Sequence, residues 1–97
     1  MSKENSDLNV LREQIDAVDN ELLSLLGKRQ ALVEQVIAVK LRDKLPARIP
    51  SRVTEVVDRV MQEAPKHGTS PDLAKTVWNA MINWFIAFEE KALRPGK

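Results

Sequence analysis

Arg29, Lys40 and Glu89 interrupt or border stretches whose spacing calls for apolar side chains. Arg29 stands on the apolar seam of a long helical pattern, where a coiled coil tolerates a polar residue as a register device. Lys40 follows eleven residues later, about 20° around a helix and roughly 16 Å along it. Two cations of long reach on one face suit a small anion. The plain alternative is that both side chains snorkel past apolar surface to water. Arg12 lies 28 residues before Lys40, about 42 Å along the same helix. It cannot join them around one small ligand within one chain, but Arg12 of the partner subunit in an antiparallel dimer can. Glu89 follows the apolar stretch Trp84-Phe85-Ile86-Ala87-Phe88, a setting in which a glutamate is ordinarily solvated. Trp78 and Trp84 read as core or rim packing.

The elements that must hold these residues follow from periodicity. Leu8, Leu11, Ile15, Val18, Leu22, Leu25, Leu32, Val36 and Val39 recur in alternating steps of three and four. This heptad stripe predicts one long helix from Asp7 to Asp43, with Ser6 or Asp7 as N-cap. Pro46 and Pro50 bracket a loop, Lys44 to Ser51. A short helix is expected from Arg52 to Ala64, capped by Ser51, with Val53, Val56, Val57, Val60 and Ala64 inward and Pro65 and Gly68 ending it. Ser70-Pro71-Asp72 reads as N-cap, N1 proline and N2 acid. A helix of medium length should follow to Leu93, burying Leu73, Val77, Trp78, Met81, Ile82, Phe85 and Phe88, with Arg94 to Lys97 frayed. The fold class is therefore all-α: three helices, one long, one short and one medium, in a single domain over residues 1–97.

A helix of about 35 residues is roughly 50 Å long, whereas a compact chain of this size has a radius of gyration of about 12–13 Å. Two shorter helices cannot cover such a stripe, so an intertwined homodimer is expected. The bulk composition excludes other classes. With 15 basic and 14 acidic residues, the net charge of +1 does not suit a nucleic-acid binder. No cysteine and a single histidine, His67, argue against a metal centre, and no cofactor is expected. The opening MSKENSD is polar and no apolar run has membrane length, so a cytoplasmic protein without a membrane partner is expected.

Leu11-Arg12-Glu13-Gln14-Ile15-Asp16-Ala17-Val18-Asp19, followed by Gly27-Lys28-Arg29 and Val36-Ile37-Ala38-Val39-Lys40, resembles the first helix of the all-helical chorismate mutases. The likeness extends from Leu8 to Leu93. It implies three-helix chains intertwined as a dimer with two shared active sites. It also implies a dicarboxylate substrate held by Arg29 and Lys40 of one chain and Arg12 of the other, with Arg52 as a further substrate-binding arginine. Where the mutase pattern has acidic residues that contact the substrate hydroxyl, this chain has Ile49 and Val53, which accept no hydrogen bond. A late serine of the pattern is Phe85, and the glutamine that contacts the ether oxygen is Glu89. Ile49-Pro50, Arg52-Val53 and Ile82 to Ala87 look like the isochorismate-pyruvate lyase branch of the same fold, which makes salicylate and pyruvate.

Chorismate rearranges to prephenate in one pericyclic step without nucleophile, metal or general base. Catalysis then reduces to holding the reactive conformer and stabilising charge on the breaking ether oxygen. The resemblance thus implies Lys40 and Glu89 at the reacting atoms, and Arg12, Arg29, Arg52, Ile49, Val53 and Phe85 around the substrate. Chorismate mutase activity is expected first and isochorismate lyase activity second. A non-catalytic helical dimerisation or regulatory module would share the heptads, but gives no reason for Arg29, Lys40 and Glu89.

Overall fold

A computed structural model of the chain describes residues 5–94. Helix α1 spans Ser6–Asp43, α2 spans Pro50–Glu63 and α3 spans Pro71–Leu93, with a 3-10 turn at Ala64–His67 between α2 and α3. The described residues fall into two compact units that part after Leu32. The first holds the greater part of α1; the second holds its last turns together with α2, the 3-10 turn and α3. The fraying expected at the C-terminus falls outside the described residues beyond Arg94.

The ends of the helices show where local chemistry outweighed the sequence reading. The cap of α1 is Asn5 and not Ser6 or Asp7: its side-chain oxygen accepts from the Leu8 backbone N–H at 3.0 Å. Asn, Ser and Asp cap almost equally well, so three such residues in a row leave the choice to geometry. At the other end Lys44 adopts a left-handed conformation, φ 59°. This lets the Leu45 N–H reach back to the Lys40 carbonyl at 2.9 Å.

Helix α2 begins at Pro50, two residues before the expected Arg52, and its N-cap is Ile49, not Ser51. Proline is at ease in the first helical turn because its missing N–H would find no partner there. The Ile49 carbonyl closes that turn, accepting from Arg52 N at 2.9 Å and Val53 N at 3.1 Å. Pro65 does not stop the chain at once but tightens it into the 3-10 turn. Gly68, at φ 72°, then ends it, and the Thr69 N–H satisfies the Ala64 carbonyl at 2.9 Å. Ser70 caps α3 as expected, accepting from Leu73 N at 3.4 Å.

Val56 and Val60 of α2 and Ala64 of the 3-10 turn interlock with Ala74, Ile82 and Ile86 of α3, and Ala47, Val53, Val57 and Trp78 pack against them. The inward face of α2 agrees with the expected one. That of α3 is turned by about one residue: Ala74, Ile82, Phe85, Ile86 and Glu89 are buried, whereas Leu73 and Val77 are exposed. Its periodicity was ambiguous because apolar residues occupy two adjoining faces. Along α1 every residue of the predicted stripe is exposed within the chain, Leu25 by 57%, and Ile37 is the one buried residue of the helix.

Candidate active site

Lys40 lies in the last turn of α1, and its side chain turns inward instead of snorkelling to water. The ammonium donates to Glu89 Oε1 at 2.7 Å and to the Ala47 carbonyl at 2.8 Å. The side chains of Lys40 and Glu89 are only 12% and 9% exposed, and Glu89 is the one buried charged residue on the inner face of α3. Two ions removed from water lose several kcal/mol of hydration each, and a bond this short with a second acceptor is what offsets that loss. The spacing of α3 explains the placement. Glu89 comes seven residues after Ile82 and three after Ile86, so it continues the buried stripe instead of leaving it.

An ammonium has three N–H donors and no acceptor. Glu89 and Ala47 occupy two directions, which leaves one for a third acceptor such as a substrate oxygen. The residues one turn before Glu89 on α3 are apolar. Phe85, one turn before Glu89, is buried and meets Trp84 and Phe88 edge-to-face, at centroid separations of 5.1 Å and 6.4 Å. Trp84 and Phe88 stack at 5.3 Å. Ile49 and Val53 are half-buried at the start of α2.

Of the residues singled out in the sequence, Lys40 and Glu89 are thus in direct contact. Arg52 is exposed and pairs with Glu55 on its own helix at 2.8 Å, so this chain by itself does not bring it to the pair. Arg12 is exposed and Arg29 half-buried; both belong to the first unit. Two contributions had no signature in the sequence. One is the Ala47 carbonyl, a backbone group. The other is the Arg48 Nη2 to Asn83 Oδ1 bond of 3.3 Å, which ties the α1–α2 connection to α3. On the surface, the neighbouring Asp43 carboxylate raises the Arg42 guanidinium above its ordinary value, which leaves an already permanent cation unchanged. Among the described residues no group of three or more His, Cys, Asp or Glu is placed to hold a metal ion, and no helix is long and apolar enough to cross a membrane.

This chain is 43% identical over 72 residues to the T-protein of Enterobacter agglomerans, which covers 74% of this chain and 19% of that protein. It is 41% identical over 84 residues to the T-protein of Haemophilus influenzae, covering 87% of this chain and 22% of that protein. The chain therefore spans about a fifth of the length of those two relatives. A chorismate mutase of Methanocaldococcus jannaschii is 24% identical over 83 residues, covering 86% of this chain and 84% of that protein. The family model for chorismate mutase type II matches residues 11–90, a span that runs from the residue before Arg12 to the residue after Glu89, and the chain belongs to that family.

Proposed function

We propose that this chain is a chorismate mutase, converting chorismate to prephenate without cofactor or metal in a homodimer with two shared sites. The observation that carries this reading is the buried Lys40–Glu89 pair with one ammonium direction to spare. In a non-catalytic helical module a buried ion pair is a poor source of stability, since apolar residues of similar volume often serve as well or better.

The roles follow from the charges of the substrate. Arg29 and Arg12 of the partner subunit take the two carboxylates, for which a guanidinium fork is suited. Lys40 donates its remaining N–H to the ether oxygen and the enolpyruvyl carboxylate, stabilising the charge that builds as the C–O bond breaks. Glu89, when protonated, donates to the same oxygen as a glutamine amide would. Arg52 leaves Glu55, an exposed pair of little strength, to close the site over bound substrate. Ile49, Val53 and Phe85 exclude water. The exposed apolar stripe of α1 supports the dimer, because a second copy of the same stripe is a matching surface.

The apolar side chains at 49 and 53 favour a second reading, elimination of pyruvate from isochorismate, which the same cations can assist. A chorismate mutase among the relatives ranks the rearrangement first. Incubating the purified protein with chorismate and with isochorismate, and identifying products by chromatography, tests the proposal. Prephenate from chorismate is the expected result. Salicylate and pyruvate from isochorismate at far higher efficiency would install the second reading, and no turnover of either would leave the module.

A further inference from the structure

The connection between α1 and α2 is fastened at three points, and two of them are Lys40. Its backbone carbonyl accepts from Leu45 N at 2.9 Å, and its ammonium donates to the Ala47 carbonyl at 2.8 Å. The third point is Arg48, whose guanidinium donates to Asn83 of α3 at 3.3 Å. Asn83 lies on the helix that carries Glu89, six residues earlier and about 9 Å along the axis. The contacts therefore close a ring: Lys40 to Glu89, along α3 to Asn83, across to Arg48, back through the connection to Ala47, and again to Lys40.

A ring of this kind fixes a rotor. An ammonium free to turn about its Cε–Nζ bond presents three equivalent donors in any direction. With one N–H held by a carboxylate and a second by a carbonyl, tetrahedral geometry dictates where the third points. The Glu89 acceptor rides on a helix, a rigid support. The Ala47 acceptor rides on a loop, held by its hydrogen-bond ties and by the packing of the Ala47 methyl group against the core. From the second half of that loop, residues 46–49, the Arg48–Asn83 bond is the side-chain tie that reaches α3.

We propose that Arg48 and Asn83 are positioning residues that act through the Ala47 carbonyl to aim the third N–H of Lys40. Neither needs to touch substrate. The catalytic half of this inference rests on the mutase reading above; the geometric half does not. As an ordinary exposed hydrogen bond the contact would contribute little, and its removal would leave both Lys40 and turnover unaffected. As a positioning device it is worth more than its own strength, since a small displacement of a transition-state donor costs rate steeply.

Four variants of the full chain decide it: Asn83→Ala, Arg48→Met, the double variant, and Asn83→Asp, which restores an acceptor for Arg48. In the ligand-free protein, nitrogen-edited NMR should show the Lys40 ammonium protected from proton exchange with water. Protection should fall about ten-fold in Asn83→Ala and Arg48→Met, no further in the double variant, and recover in Asn83→Asp. With chorismate, kcat should fall by about three- to ten-fold in the same variants with KM nearly unchanged, again without further loss in the double variant. Unaltered exchange in the single variants, additive losses in the double variant, or failure of Asn83→Asp to recover would each overturn the inference. An inactive wild type with the expected exchange pattern would instead overturn the mutase reading and confine Arg48 and Asn83 to ordering Lys40.

Discussion

Lys40 and Glu89 depend on each other for stability and, in the proposed mutase, for chemistry, and substitutions separate the two. Lys40→Met leaves a buried carboxylate without its counter-ion. It should destabilise the fold by about 3 kcal/mol as well as abolish turnover, which denaturant titration and a mutase assay report independently. Glu89→Gln is milder, because the amide oxygen still accepts from Lys40 while the amide N–H₂ offers a permanent donor. An ionised Glu89 can only accept and would repel the developing charge on the ether oxygen. The amide donor of Glu89→Gln should therefore raise kcat/KM above that of the wild type. Steady-state kinetics of the two forms check this, and equal kcat/KM values would remove Glu89 from the chemistry.

At the scale of elements, two left-handed residues carry the corners that place Lys40 and α3. Lys44 takes φ 59° with an exposed side chain, and Gly68 takes φ 72° with open space where a Cβ would stand. A non-glycine residue in this region costs roughly 1 kcal/mol. Lys44→Gly should therefore raise the unfolding free energy by up to about 1 kcal/mol, less what glycine loses in the more flexible unfolded chain. Gly68→Ala should lower it by about 1 kcal/mol, a purely conformational cost since no neighbour obstructs the new methyl group. Equilibrium unfolding in urea measures both. If Gly68→Ala is neutral, the turn after α2 relaxes more readily than its hydrogen bonds from Gly68 and Thr69 suggest.

For the whole molecule, the exposed stripe from Leu8 to Val39 sets the expectation. Half-exposed leucines, valines and isoleucines each stand to gain on the order of 1 kcal/mol on full burial, and nine of them in line make a strong case for self-association. Sedimentation should find a dimer whose apparent stability rises with protein concentration. A monomer that stays folded and active on dilution to nanomolar concentration would refute it. Shared sites make a sharper forecast. Arg12→Ala and Lys40→Ala should each be nearly inactive alone. Mixing them with subunit exchange should restore activity, because a heterodimer regains one intact site; no recovery after demonstrated exchange would end the shared-site reading.

What could be read without coordinates was whatever depends on neighbours along the chain. The three helices, the Ser70 cap, the Gly68 stop and the face of α2 all follow from periodicity and from the φ preferences of proline and glycine. The stripe of α1 was legible as well, together with the implication that one chain cannot bury it. Tertiary structure decided matters in which several local answers were nearly equal in energy. Asn5 capped α1 in place of Ser6 or Asp7, Pro50 entered α2 instead of preceding it, and α3 chose Ala74 and Ile86 over Leu73 and Val77 for its inner face. It also decided the direction of Lys40. A lysine on a helix has water and interior both within reach, and only the arrival of Glu89 from distant α3 and of the Ala47 carbonyl from the loop after α1 makes the interior the lower in free energy.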